Sequence, residues 1–172
     1  MSHTRDAVDS NVDATEIEVE AKVPHETREP VPELISTQAA LIEYAEALAG
    51  GSGPLALDAE RASGYTYSQR AYLIQIRRTG SGTALIDPIA CPDLTPIAEA
   101  TVGVEWILHA ATQDLDCLRE VGLTPSALFD TELAGRILGR ERVGLGPLME
   151  NELGVYLEKG HVVTAEFAVE AT

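Results

Sequence analysis

An apolar run, Leu55-Ala56-Leu57, closes in two carboxylates one residue apart, Asp58 and Glu60. In a β-strand residues i and i+2 share a face, so this pair should project together from the end of a buried strand. Like charges at that spacing raise each other's pKa unless a cation neutralises them, and hard oxygen ligands of this kind suit Mg²⁺ or Mn²⁺. A metal site needs a further ligand, and the best candidate is Asp114 in His109-Ala110-Ala111-Thr112-Gln113-Asp114-Leu115. It follows an apolar segment and opens the next helix, which is where an open α/β sheet places its functional groups. Each acid also has a plain structural reading: a solvated strand end for the pair, and a helix-start carboxylate favoured by the macrodipole for Asp114. His109 reads as a packed strand-end histidine and not as a ligand.

The elements that must position these groups can be read from the periodicity. A helix is expected from Ser36 or Thr37 to Leu48, ended by Gly50-Gly51-Ser52-Gly53-Pro54. Strands follow at 54–60, 71–77 and 83–87, the last two joined by Gly80-Ser81-Gly82, which suggests an antiparallel meander. The pattern then alternates. A short helix at 93–100, a nearly continuous apolar strand at 104–109, a helix at 112–121 and a short strand at 127–130 make an α/β half. Asp130 or Thr131 can cap a helix through Leu138, and Pro147 to Leu153 reads as a last helix. The expected class is therefore α/β: a mixed five-stranded sheet, part antiparallel meander and part parallel, flanked by helices.

At 172 residues the chain accommodates one domain and a tail. Residues 1–33 carry Asp6, Asp9, Asp13, Glu16, Glu18, Glu20, Glu26, Glu29 and Glu33 against Arg5, Lys22 and Arg28, without an aromatic residue. Such a composition is expected to be disordered and solvating. The formal net charge of −16 argues against a broad electrostatic grip on nucleic acid, so a nuclease would have to depend on a metal site and a few local cations. The two cysteines, Cys91 and Cys117, are too few for a disulfide framework and read as small buried residues. With no apolar run near the roughly eighteen residues of a membrane span, and no apolar leader in MSHTRDAVDS, a cytoplasmic protein is expected.

Taken together, LALDAERASGYTYSQRAYLIQIRR, TALIDPI, WILHAATQDLDCL, LFDTELAGRILG and GLGPLMENELGVYLEKGH resemble ribonuclease D, of the DEDD superfamily of 3′-to-5′ exonucleases. The resemblance covers residues 36 to 161 and rests on several ordered motifs. It implies a ribonuclease H-like fold, with an exonuclease domain over 34–161. It matches Asp58 and Glu60 to the first catalytic motif and Asp114 to the second, as metal ligands and catalytic groups. By the same resemblance the complete site holds two divalent ions, Mg²⁺ or Mn²⁺, about 4 Å apart for in-line phosphoryl displacement. The substrate implied is RNA with a free 3′ end, such as a tRNA precursor, and the product a 5′-nucleotide. Gln75 and Asp130 fall in matching segments and are assigned to structure.

The chain also departs from that pattern. After Lys159-Gly160-His161 it reads Val162-Val163-Thr164-Ala165-Glu166-Phe167-Ala168-Val169-Glu170-Ala171-Thr172, and no Asp follows Asp130. The family's fourth ligand, an Asp preceded four residues earlier by Tyr, is therefore expected to be missing. The fold reads as C-terminally incomplete, with 162–172 a divergent tail and apolar surface left exposed. His161 and Glu166 imitate a His-x4-acid motif of another branch of the superfamily, but LEKGH already matches an earlier segment, so the spacing is coincidental. The alternative to an exonuclease is thus a catalytically inactive remnant or a nucleic-acid-binding module.

Overall fold

The computed structural model describes residues 30–61 and 70–156. The acidic segment 1–29, residues 62–69, and the whole C-terminal segment with His161 and Glu166 lie outside the described residues, as do most of the expectations for 1–33.

Leu34–Ile35 forms a short strand β1, and helix α1 (Gln38–Ala49) follows. Thr37, not Ser36, caps α1: it is extended (φ −132°, ψ 144°) and its Oγ1 accepts the Ala40 N–H at 3.3 Å. Leu41, Ala45 and Leu48 recur at helical spacing and are the buried stripe. Strand β2 (Ser52–Arg61) carries Leu55, Ala56 and Leu57 buried on both faces. It is followed by β3 (Ala71–Thr79) and β4 (Gly82–Ile86), joined by a tight turn in which Gly80 (φ 93°) and Gly82 (φ 73°) take backbone angles that disfavour a side chain. Then come α2 (Thr95–Ala100), β5 (Glu105–Leu108), a 3₁₀ turn (Ala111–Gln113), α3 (Leu115–Glu120), β6 (Ala127–Asp130), α4 (Thr131–Ile137) and α5 (Leu145–Leu153).

Among the described residues the sheet has six strands in the order β1-β4-β3-β2-β5-β6, one more than the sequence suggests. The extra strand is β1, two residues paired parallel to β4 (Leu34 to Leu85, Ile35 to Ile86), too short to leave a period in the sequence. The meander β2-β3-β4 is antiparallel, and β5 and β6 add in parallel on the other side of β2. Strand β2 is therefore the seam between the two halves. Helix α3 lies against β2 and β3, α1 packs on α2, and α4 packs on β6 and α5. Gly135 permits the α4–α5 contact, since a Cβ there would meet Leu148 Cδ2 at 3.1 Å. Cys91 and Cys117 are both free thiols in the core, as expected.

At the outer edge, Leu128, Phe129, Leu133, Ile137 and Leu138 are exposed, Ile137 at 77 %. Among the described residues β6 pairs only with β5. No helix among the described residues is long and apolar enough to cross a membrane.

A single carboxylate ties the end of β5 to the start of α4. Asp130 caps α4 by accepting the Glu132 and Leu133 N–H groups at 2.9 and 3.2 Å. It also accepts Ala110 N–H at 3.1 Å and Ala111 N–H at 2.9 Å. Ala110 is the one non-glycine residue with positive φ among the described residues, at 54°. That conformation costs on the order of 1–3 kcal/mol, and the two bonds from Asp130 hold it. The turn so fixed leads directly through the 3₁₀ segment to Asp114. Asp130→Ala strips all four N–H groups of their acceptor and is expected to destabilise the chain by about 2 kcal/mol or more in urea unfolding. A loss below about 0.5 kcal/mol, the scale of an ordinary surface change, would contradict this account.

Candidate active site

The alternation of β2 turns Ala56, Asp58 and Glu60 to one face. Asp58 stands directly opposite Gln75 of β3, and Glu60 opposite Leu73. The face they share is the one approached by α3, and Asp114, the N-cap residue of α3, is delivered by the turn that Asp130 fixes. Asp58 is half-buried, Glu60 exposed, and Asp114 8 % exposed. The structure thus brings the three acids to one region of the sheet, and their electrostatics show it. Burial pushes the Asp58 carboxyl up, and the Glu60 charge pushes it further. Asp114 is raised to about 6, first by burial, then by the Asp58 charge, with Glu60 adding to the rise and Arg61 opposing it.

Neighbouring groups complete the picture. Gln75, 1 % exposed, donates from Nε2 to Asp58 Oδ2 at 3.3 Å. Arg61, at the end of β2, places its guanidinium near enough to favour ionisation of both Asp114 and Cys117. The Cys117 thiol donates to the Asp114 carbonyl at 3.0 Å, and burial and the Asp114 charge push its pKa up to about 11, so it stays a protonated, inert thiol. His109 behaves as a packed strand-end residue. Thr131 donates to the Leu108 carbonyl at 3.3 Å, which leaves its oxygen to accept from His109 Nδ1 at 2.9 Å. Burial holds the His109 pKa below its usual value, against the Glu132 and Asp130 charges.

The donor set, three carboxylates of which Asp58 and Asp114 are held above their usual pKa by burial and by a neighbouring carboxylate charge, suits a hard divalent cation that would neutralise them. Among the described residues, however, no group of three or more His, Cys, Asp or Glu side chains is already placed as a ligand shell. The fit is one of chemistry and common location. Of the neighbouring groups, Gln75 is assigned to structure by the sequence reading, and Arg61 is the contributor that reading does not find. Gln75 was visible as a polar residue inside the apolar run AYLIQI, whereas Arg61 gave no signal, because it depends on the approach of α3.

Asp114 ties the site to pH. Its carboxyl keeps a proton to about pH 6 in the folded chain, but only to about pH 4 in an unfolded one. Folding therefore takes up a proton in that window, and the contribution of Asp114 to stability falls as pH rises through it. In metal-free buffer the wild type is expected to lose more stability than Asp114→Asn between pH 4.5 and 7, measured by urea unfolding at both values. Parallel pH dependence in the two proteins would contradict the placement of Asp114.

Comparison with known proteins agrees with the architecture. A family model described as 3′-5′ exonuclease matches residues 32–166. Ribonuclease D of Psychromonas ingrahamii is 35 % identical over 130 residues, which are 74 % of this chain and 34 % of that protein. The chain spans about a third of the length of the curated relatives it matches. Among solved structures, a protein from Bifidobacterium adolescentis superposes with a TM-score of 0.74 at 43 % identity, covering 78 % of this chain and 33 % of that one. Escherichia coli RNase D, an exoribonuclease involved in structured RNA processing, superposes with a TM-score of 0.65 at 30 % identity, covering 76 % and 36 %. The mixed sheet with its flanking helices is thus the ribonuclease H-like fold of these nucleases, and the chain belongs to the 3′-5′ exonuclease family, with an exonuclease domain of ribonuclease D type.

Proposed function

We propose that this chain is the catalytic part of a metal-dependent exoribonuclease, that residues 34–161 form its exonuclease domain, and that Asp58, Glu60 and Asp114 are its metal ligands. The observation that carries the reading is the convergence of three carboxylates on one region of the sheet, where burial and a neighbouring carboxylate charge, Glu60 for Asp58 and Asp58 for Asp114, hold both above their usual pKa. Such an arrangement opposes folding unless a cation joins it. The substrate class is RNA with a free 3′ end, and the family's divalent metal is Mg²⁺ or Mn²⁺, consistent with an all-oxygen donor set. A cytoplasmic setting suits that substrate.

In this reading a divalent cation supplies Lewis acidity for in-line displacement at the terminal phosphodiester. The chain's own residues do the rest. Asp58 and Glu60, fixed by the pleat of β2, present their carboxylates in a constant relative position. Asp114 closes the site from α3, and Gln75 anchors Asp58 from the neighbouring strand. Arg61 contributes fixed positive charge in a chain that is otherwise strongly acidic, so recognition depends on the site and not on a basic surface. A water oxygen bonds to phosphorus of the last phosphodiester, and the bond from phosphorus to O3′ of the penultimate nucleotide breaks. That oxygen takes up a proton as the new 3′ hydroxyl of the shortened RNA, and the last residue leaves as a 5′-nucleotide.

The test uses 5′-labelled single-stranded RNA with a free 3′ hydroxyl, incubated with the chain in Mg²⁺ or Mn²⁺. A ladder shortening from the 3′ end is expected, abolished by EDTA and reduced by at least about 10³-fold in Asp58→Ala, the scale seen when one member of a cooperating catalytic group is lost. A folded chain that leaves the RNA intact in both metals would overturn the proposal in favour of an inactive or purely binding module.

A further inference from the structure

Gln75 is the polar side chain that folding alone does not account for. It sits in the middle of β3, 1 % exposed, between Ile74 and Ile76, which are both fully buried. Its Nε2 reaches Asp58 Oδ2, yet its Oε1 is buried and has no partner. An orphaned buried acceptor costs stability, and an apolar side chain of the same size would remove the penalty. The position of Gln75 explains what is gained instead. It pairs in register with Asp58 across the β2–β3 ladder, so the amide meets the carboxylate from the side, within the sheet layer and beneath α3.

We propose that Gln75 is a positioning residue of the metal site: its amide fixes Oδ2 of Asp58 against β3 and thereby orients the other carboxylate oxygen toward the cation. The inference rests on the metal-dependent reading given above. Strand-end carboxylates otherwise rotate freely about χ2, which is a broad torsion, and a hydrogen bond to one oxygen removes that freedom before the cation arrives. Residues that orient a ligand in this way typically contribute 10- to 100-fold in metal affinity. Glu60, exposed and opposite the apolar Leu73, has no comparable anchor among the described residues, so Asp58 is the ligand whose geometry the fold sets in advance.

The experiment measures Mn²⁺ affinity of the full 172-residue chain by electron paramagnetic resonance, alongside metal-free melting temperature, for wild type, Gln75→Met, Gln75→Leu and Asp58→Asn. The expected result is an affinity about 10-fold or more weaker in both Gln75 variants, with a melting temperature equal to or above that of wild type. In RNA turnover the same variants should lower kcat and leave KM unchanged. If Asp58→Asn weakens Mn²⁺ binding while both Gln75 variants bind as wild type does, the role of Gln75 is refuted and the metal reading stands. If wild type fails to bind Mn²⁺, or Asp58→Asn binds equally well, the metal reading falls and this inference with it. A lower melting temperature in both Gln75 variants would make Gln75 a folding residue and overturn the proposal.

Discussion

Repulsion between carboxylates at the end of β2 is the constraint around which the domain is built. Asp58 and Glu60 cannot avoid each other, because the pleat places them on one face. Asp114 is then brought to the same region by α3, into surroundings dry enough that its carboxyl holds a proton to about pH 6. A fold selected for stability alone would separate these charges or bury apolar residues in their place. Their presence at the seam between the antiparallel and parallel halves of the sheet is what the proposed metal site rests on.

The scaffold meets this constraint with a small number of strong fixings. β2 is held on one side by the antiparallel ladder with β3 and on the other by parallel pairing with β5, so its direction is set by both neighbours. Asp130 stitches the left-handed turn at Ala110 to the N-terminus of α4, and that turn determines where α3 begins. Cys117 and Leu118 then seat α3 in the core. Sequence, local strain and charge placement are linked in order: an Asp at the end of β6 fixes a turn after β5, and the turn aims an acid at β2.

Much of this was legible in the sequence, for physical reasons. Strand positions followed from apolar alternation and from the glycines of the β3–β4 turn, and caps from Thr37 and Asp130. Asp58 and Glu60 could be read together because their proximity is local, set by the period of a strand. Asp114 needed either the rule that α/β sheets place functional groups after strands or the resemblance to ribonuclease D. The strand β1 was not legible, since two residues carry no period. The two bonds from Ala110 and Ala111 to Asp130, the Gln75–Asp58 contact and the influence of Arg61 were not legible either, because each joins residues from different elements. Gly135 likewise reads as a weak point in a helix until Leu148 is seen against it.

The central claim is that the three acids form one electrostatic unit completed by a divalent cation. Its most direct test is the melting temperature at pH 8, well above the pH of about 6 at which Asp114 gives up its proton, with and without millimolar Mn²⁺. The account predicts a clear rise with Mn²⁺ in the wild type that disappears in a chain carrying Asp58→Asn, Glu60→Gln and Asp114→Asn together, which should itself melt higher than the metal-free wild type. No rise in the wild type, or the same rise in the triple variant, would contradict it.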